Sequence, residues 1–120
     1  MANKVIKYDS FKRGETPTFY FDCSQPYEGF SWTGITGTIV LTNLQSPNDN
    51  TGAGVKRESI NPSVDPATNI ATYSMKPTVE ESKALLPNIT YKVELKLMEG
   101  TENVVKPITG EVKVIQDYAI

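Results

Sequence analysis

The sequence predicts an all-β protein, an antiparallel β-sandwich of seven or eight short strands with one short helix near residues 78–86. Three observations predict this class. Apolar and polar residues alternate over several short segments, turn residues separate these segments about every eight to twelve positions, and one segment alone carries helix-capping signals. A small closed barrel is the alternative architecture that the same signals allow.

The clearest strand covers residues 90–97, where the alternation is unbroken. One face carries Tyr91, Val93, Leu95 and Leu97, and the other carries Thr90, Lys92, Glu94 and Lys96. A period of two predicts a half-buried antiparallel strand with the first set in the core. The turn at Gly100 and the run 103–108 predict its hairpin partner.

The N-terminal part of the chain predicts two strands joined by a turn. Residues 4–8 are short and β-prone and predict a first edge strand. Residues 11–17 predict a turn, in which Gly14 can adopt positive φ. Residues 18–23 alternate again, and their predicted core face carries Phe19, Phe21 and Cys23.

Residues 24–37 predict a loop, because four glycine and proline positions interrupt them. The loop nevertheless contains Tyr27, Phe30 and Trp32. We expect Trp32 to plug one end of the core, as a single Trp does in many sandwiches. Tyr27 and Phe30 fit a lid on the core and a contact surface equally well.

The middle of the chain alternates strands with polar connections. Residues 38–44 predict an interior strand from their β-branched, nearly continuous apolar character. Residues 45–54 predict a solvated loop whose spacing does not fit an EF-hand calcium loop. The charged residues 55–60 predict an edge strand, 61–69 a turn region, and 70–75 a further strand.

The helix near residues 78–86 is predicted by a capping box between Thr78 and Glu81, and Pro87 ends it. Leu85 and Leu86 are expected to cover the open end of the sandwich.

The last strand is predicted at residues 111–115, after an interruption at Gly110. Its predicted inward residues are Val112 and Val114. Seven or eight strands with this spacing are typical of an immunoglobulin-like sandwich.

Length and composition predict one globular domain, residues 1–120. Within it, residues 1–9 are either an attachment arm or an edge strand, and residues 117–120 are a tail. The chain has 38% hydrophobic and 22% charged residues, which is typical of a folded domain.

The net charge of the chain is −2, and neither sign of charge is gathered into blocks, so we expect neither a nucleic-acid partner nor a membrane partner. The N-terminus lacks the apolar run of a signal peptide, and synthesis and folding in a cytoplasm are expected.

The residue types predict a protein that is not an enzyme and that uses no cofactor and no metal. The chain has no histidine, which excludes Ser-His-Asp triads, Cys-His pairs and the usual zinc ligand sets. Cys23 lies on a predicted core face, where a thiol acts as a small hydrophobic residue. The adjacent Glu80 and Glu81 point in different directions on a helix and do not form an acid and base pair.

Six short motifs follow one another along the chain. They are Lys12-Arg13-Gly14-Glu15-Thr16, Trp32-Thr33-Gly34 leading into a β-branched strand, the turn at 65–69 before strand 70–75, the Thr-x-x-Glu helix at 78–87, the Tyr-initiated strand 91–97, and Thr109-Gly110-Glu111-Val112-Lys113-Val114. In this order they resemble a family of immunoglobulin-like small virion proteins of tailed bacteriophages, similar to the N-terminal domain of phage baseplate upper proteins. The resemblance covers about residues 11 to 117, nearly the whole chain. Asn88 departs from the family, which often has Gly before the Tyr, and no receptor-binding portion follows the domain, which favours a free-standing accessory protein.

The resemblance implies a non-enzymatic structural protein that docks on capsid (as decoration), connector, or tail and baseplate proteins. It implies location in the virion after synthesis in the bacterial host cytoplasm. The partners would be other virion structural proteins, with self-association on the particle as a further expectation. The residues expected to bind partners are Val5, Ile6, Tyr8, Tyr27, Phe30 and Trp32.

A second function also fits the sequence, namely a soluble carbohydrate-binding β-sandwich module. Tyr27, Phe30 and Trp32 would supply the aromatic faces on which sugars stack, and a host-surface glycan would be the partner.

Overall fold

The computed structural model describes residues 5–43, 54–100, 102–103 and 107–116. This part of the chain contains ten strands and one helix. In chain order these are β1 (Ile6–Lys7), β2 (Phe11–Lys12), β3 (Phe19–Cys23), β4 (Ile35–Asn43), β5 (Gly54–Ile60), β6 (Ser63–Val64), β7 (Ala71–Met75), α1 (Val79–Lys83), β8 (Ile89–Glu99), β9 (Glu102–Asn103) and β10 (Ile108–Ile115). The described count exceeds the predicted seven or eight because β1, β2, β6 and β9 are two-residue strands.

The strands form two sheets. The larger sheet has seven strands, in the order β1-β10-β8-β4-β5 with β2 beside β10 and β9 beside β8, and the smaller sheet has the order β3-β7-β6. The order β10-β8-β4-β5 opposite β3-β7-β6 corresponds to strands G-F-C-C′ and B-E-D of an immunoglobulin variable-type sandwich. The predicted fold class is therefore confirmed. The larger sheet is mixed, because β1 and β2 run parallel to β10.

Strand β8 lies in the middle of the larger sheet, as its regular alternation indicates. It pairs antiparallel with β4 along one edge and with β10 along the other. Its four predicted core residues are buried, whereas the residues of its other face are half-buried beside the neighbouring strands. The predicted hairpin partner is present as β9 and the start of β10, and residues 104–106 lie outside the described part.

Gly37 and Gly110 were predicted to lie outside strands, but both lie inside them. The predicted loop 24–37 ends earlier, since β4 begins at Ile35 and continues through Gly37, and β10 continues through Gly110. A Cβ atom on Gly37 would lie 2.6 Å from the ring of Tyr73, and one on Gly110 would lie 2.5 Å from the ring of Tyr8. Both glycines therefore make room for an aromatic ring and do not break a strand.

Three other segments differ from or extend the prediction. The predicted turn 11–17 begins with β2, because Phe11 is buried and pairs with Val114. The predicted turn region 61–69 contains β6, which pairs with β7. The charged strand β5 is at the sheet edge as predicted, whereas the predicted polar loop 45–54 lies outside the described residues except for Gly54.

Helix α1 follows its predicted capping signals. The Thr78 hydroxyl accepts from the Glu81 N–H at 3.1 Å, and the Glu81 carboxylate accepts from the Thr78 N–H at 2.8 Å. The guanidinium of Arg57 on β5 also donates two hydrogen bonds to the Glu81 carboxylate. Leu85 is buried as expected, but Leu86 is 39% exposed and does not cover the sandwich. The helix is therefore fixed to the edge strand by one shared carboxylate.

Ser82 attaches the other side of helix α1 to the turn after β2. Its buried hydroxyl donates to the Glu15 carbonyl at 2.6 Å and accepts from the Gly14 N–H at 2.9 Å. Gly14 has a φ of 91°, in the left-handed region that favours glycine. This end of the sandwich is thus closed by the helix and the turn together.

Replacing Leu95 with Ala should lower the free energy of unfolding by about 2–5 kcal/mol, because it empties a fully buried position of β8. Lys96→Ala on the opposite face should change it by less than about 1 kcal/mol. Chemical denaturation of both variants measures the difference, and equal losses would show that the faces of β8 are assigned wrongly.

Glu81→Gln should reduce the acid sensitivity of the fold. The hydrogen bonds from Arg57, and next that from the Thr78 backbone, lower the pKa of Glu81 from 4.5 to about 2. A lowered folded-state pKa stabilises the protein above pH 4.5, and that contribution is lost as the pH falls towards 2. Melting temperatures should therefore fall less between these pH values in Glu81→Gln than in the wild type. The control Glu80→Gln should behave as the wild type does, and equal falls in all three proteins would contradict the assignment.

Candidate functional site

The candidate site lies at one end of the sandwich, which we call the loop end. It consists of the β3–β4 loop (residues 24–34), the β5–β6 connection (61–62) and the β6–β7 turn (65–70). The β8–β9 hairpin is at the same end, since Ile35 at the start of β4 pairs with Glu99. Helix α1 and the Gly14 turn lie at the other end. The loop end is thus the one where immunoglobulin variable domains carry binding loops.

Four aromatic rings run from the core to the surface of the loop end, and we call them the aromatic ladder. Tyr73 contacts Trp32 with ring centroids 6.2 Å apart, Trp32 contacts Phe30 at 4.8 Å, and Phe30 contacts Tyr27 at 5.3 Å. All three pairs are edge-to-face, the arrangement that aromatic quadrupoles favour. Trp32 and Phe30 are 5% and 9% exposed, whereas Tyr27 is 66% exposed. Trp32 therefore plugs the core as expected, Phe30 is a lid, and Tyr27 is the exposed member.

Asn69 holds the aromatic ladder in place. Its side-chain amide donates to the Phe30 carbonyl and to the Gln25 side chain, each at 2.8 Å, and its own carbonyl accepts from Trp32 Nε1 at 2.9 Å. Its backbone is left-handed, with a φ of 55°, a conformation that Asn adopts more readily than most residues. The turn composition of 65–69 indicates such a backbone. The bonding partners lie about forty residues away in sequence, and no local pattern reveals them.

An open cleft of about 440 Å³ lies beside the ladder. One wall is formed by residues 31–35, and the other by Asn61, Pro62, Val64 and Asn69. The lining residues include hydroxyl, amide and apolar side chains, and none of them is charged. This cleft is not predictable from the sequence, because its two walls come from segments that no motif connects.

The other predicted partner-binding residues lie at the β1 edge. Val5 is 42% exposed, and Ile6 pairs with Gly110 of β10. The Tyr8 ring packs edge-on against Phe19 and Phe21, with centroids 5.2 and 5.9 Å away. Tyr8 also donates its hydroxyl to the carbonyl of Tyr20 at 2.8 Å, and its burial raises its pKa. Tyr8 therefore closes the seam between the two sheets, and the structure does not join it with the aromatic ladder.

Cys23 has the environment of a structural thiol. It is buried, and burial together with the nearby Asp22 raises the pKa of its thiol to about 11. A thiol with such a pKa stays protonated near neutral pH and is a poor nucleophile.

Among the described residues there is no cluster of three or more potential metal ligands. The same residues include no helix with the length and apolarity needed to cross a membrane.

Comparison with known proteins adds no assignment. No protein family model matches the sequence, and no curated protein has significant similarity to it. The functional interpretation therefore rests on the geometry of the loop end and on the motif resemblance found in the sequence.

Asn69→Gly should lower the free energy of unfolding by about 1–3 kcal/mol, because it keeps the left-handed backbone but removes the donors to Phe30 and Gln25. The emission of Trp32 should also move to longer wavelength as its loop loosens. Denaturant titrations followed by fluorescence measure both effects.

Asn88→Gly is the matched control. Asn88 is also left-handed, with a φ of 60°, but its side chain is exposed. Its replacement should change stability by less than about 0.5 kcal/mol. Similar losses in the two variants would refute the role given to the Asn69 amide.

Proposed function

We propose that this chain is a non-enzymatic accessory protein of a tailed-phage particle, which docks on capsid, connector, or tail and baseplate proteins. The motif series from residue 11 to residue 117 is the basis of the proposal. The observation that supports it most is the sheet order β10-β8-β4-β5 opposite β3-β7-β6, since an immunoglobulin-like sandwich is the fold that the resemblance implies. Fold alone does not specify function, so the proposal also requires a surface that can make the contact.

Tyr27 is the residue best suited to anchor such a contact. Tyrosine is one of the residue types that contribute most binding energy at protein interfaces. The exposed Tyr27 ring packs edge-to-face against the Phe30 ring, and the Phe30 carbonyl accepts a hydrogen bond from the Asn69 side chain. Because this support exists before any partner binds, little conformational entropy is lost on docking. Phe30, which the sequence offered as an anchor, instead supports Tyr27 from below.

Residues 1–9 were the other expected attachment element, with Val5 and Ile6 among the predicted partner-binding residues. In the structure Ile6 and Lys7 already pair with β10, and Tyr8 fills the seam between the sheets. Deleting residues 2–8 would remove these contacts within the fold at the same time as any attachment to a partner, so the two effects could not be separated. Variants of exposed residues are therefore the sharper test.

The carbohydrate function, as predicted from the sequence, required three aromatic stacking faces. Phe30 and Trp32 are buried and make edge-to-face contacts within the aromatic ladder, which leaves Tyr27 as the exposed ring of the three. The geometry therefore favours a protein contact over sugar stacking for the Tyr27 ring.

Tyr27→Ala should weaken attachment of the purified protein to particles that lack it by about 1–4 kcal/mol, because it removes the exposed anchor. Tyr20→Ala is the matched control, since Tyr20 is 59% exposed on the outer face of the smaller sheet. Co-sedimentation with particles followed by quantitative mass spectrometry measures both affinities.

The wild-type protein should be found in purified particles by mass spectrometry and electron microscopy. Its absence there would refute the virion proposal as a whole. Undiminished attachment of Tyr27→Ala, with the wild type present in particles, would refute the anchor alone.

A further inference from the structure

One wall of the cleft, formed by Asn61, Pro62, Val64 and Asn69, is shaped by two left-handed residues that are not glycine. Asn69 itself belongs to this wall, and Ser59, with a φ of 55°, lies just before Asn61 and Pro62. At Ser59 the pairing of β5 with β4 shifts register, between Gly37↔Ile60 and Ile39↔Arg57. Such a bulge redirects the chain, and residues in sparsely populated backbone regions concentrate at binding sites. Here the bulge carries Asn61 and Pro62 to the cleft.

The walls are also fixed by hydrogen bonds before any ligand binds. Trp32 Nε1 donates to the Asn69 carbonyl, and the Ile35 N–H donates to the Trp32 carbonyl at 3.1 Å. On the other side, the Asn69 N–H donates to the Asp65 carbonyl at 2.7 Å. A preformed cleft loses less affinity to the ordering of its own loops. Its volume of about 440 Å³ is within the usual range for ligand pockets, about 300–1,000 Å³.

The chemistry of the lining indicates the class of ligand. A charged ligand would lose hydration there without meeting an opposite charge, because the lining residues are all neutral. Ser31 and Thr33 offer hydroxyls, and Asn61 offers an amide, so the cleft can both donate and accept hydrogen bonds. The indole of Trp32 and the side chain of Val64 add apolar surface. Alternating hydroxyl groups and C–H faces are the features of a neutral sugar.

We propose that this cleft is a binding site for a neutral saccharide segment. The side chains of Ser31, Thr33 and Asn61 make the hydrogen bonds to sugar hydroxyls, and Val64 and the edge of Trp32 contact the sugar C–H groups. Because the cleft is open on one side, it accepts part of a longer chain rather than enclosing a single sugar. The site uses a different surface from Tyr27 and does not depend on attachment to a particle.

A peptide fits the same cleft less well. Extended peptides gain most of their affinity by pairing along an exposed strand edge. The walls of the cleft are mostly loops, and the strand residues among them are Ile35, the first residue of β4, and Val64 of the two-residue strand β6. Such an edge gives too few backbone hydrogen bonds to hold an extended chain, so side-chain recognition of hydroxyl groups is favoured.

Trp32 provides a direct test, since it is the single tryptophan of the chain and lines the cleft. The purified protein is titrated with neutral trisaccharides built from glucose, galactose, mannose or N-acetylglucosamine units, while Trp32 fluorescence and amide chemical shifts are recorded. A neutral Gly-Ser-Asn peptide and an acidic oligogalacturonate serve as competitors of other classes. We expect saturable changes with at least one neutral trisaccharide, with shifts confined to residues 31–35, 59–64 and 69.

Ser31→Ala and Asn61→Ala should each raise the dissociation constant about fivefold, the effect of losing one hydrogen bond between neutral groups. Ser74→Ala is the matched control, because Ser74 is exposed on the outer face of the smaller sheet, and it should leave binding unchanged. No saturable change with any neutral trisaccharide would overturn the proposal. Tighter binding of the peptide or the acidic oligosaccharide, or equal effects of Ser31→Ala and Ser74→Ala, would also overturn it.

Discussion

The contact between Tyr73 and Gly37 joins the two sheets, and the loop end depends on it. Tyr73 lies on the middle strand of the smaller sheet, and its ring fills the space above Gly37 on the larger sheet. Its hydroxyl donates to the Ile35 carbonyl at 2.8 Å, which also satisfies a polar group buried in the core. Burial, chiefly, raises the pKa of this hydroxyl to about 12, so it remains a donor at neutral pH. Trp32 then packs on the Tyr73 ring, so the aromatic ladder starts from the contact that holds the sheets together.

A second pair of a ring and a glycine repeats this arrangement at the open seam. Tyr8 covers Gly110 on the larger sheet, and its hydroxyl binds the carbonyl of Tyr20 on the smaller one. Tyr8 thereby covers part of the exposed edge of β3, where an unpaired carbonyl would invite pairing with another chain. The sheets are thus linked by two tyrosines, Tyr73 from the smaller sheet and Tyr8, which follows β1 of the larger sheet. This explains why Tyr8, although close to the N-terminus, behaves as part of the fold.

Local patterns were enough to predict most of the strands and the helix. The alternation in β8 and the capping box of Thr78 and Glu81 depend on neighbouring residues, and such signals can be read directly from sequence. The predictions at Gly37 and Gly110 were wrong, because these glycines make room for the rings of Tyr73 and Tyr8, which lie far away in the chain. The position of Phe30 could not be predicted for the same reason, since its carbonyl is held by the amide of Asn69, which lies far away in the chain. The candidate site was therefore predictable as a region with unusual aromatics, but not as a cleft with particular walls.

The distribution of charge distinguishes the loop-end cleft from the sheet surfaces. The described ion pairs include Lys92 with Glu94 on β8, Lys56 with Glu58 on β5, and Lys7 with Glu111 across β1 and β10. Exposed pairs of this kind contribute little stability, but they keep a sheet surface soluble and discourage further pairing at its edges. The cleft has no charged lining residue, so recognition there has to depend on shape and hydrogen bonds. Binding in it should consequently change little with ionic strength, whereas a contact made by the charged sheet surfaces would weaken as salt is added.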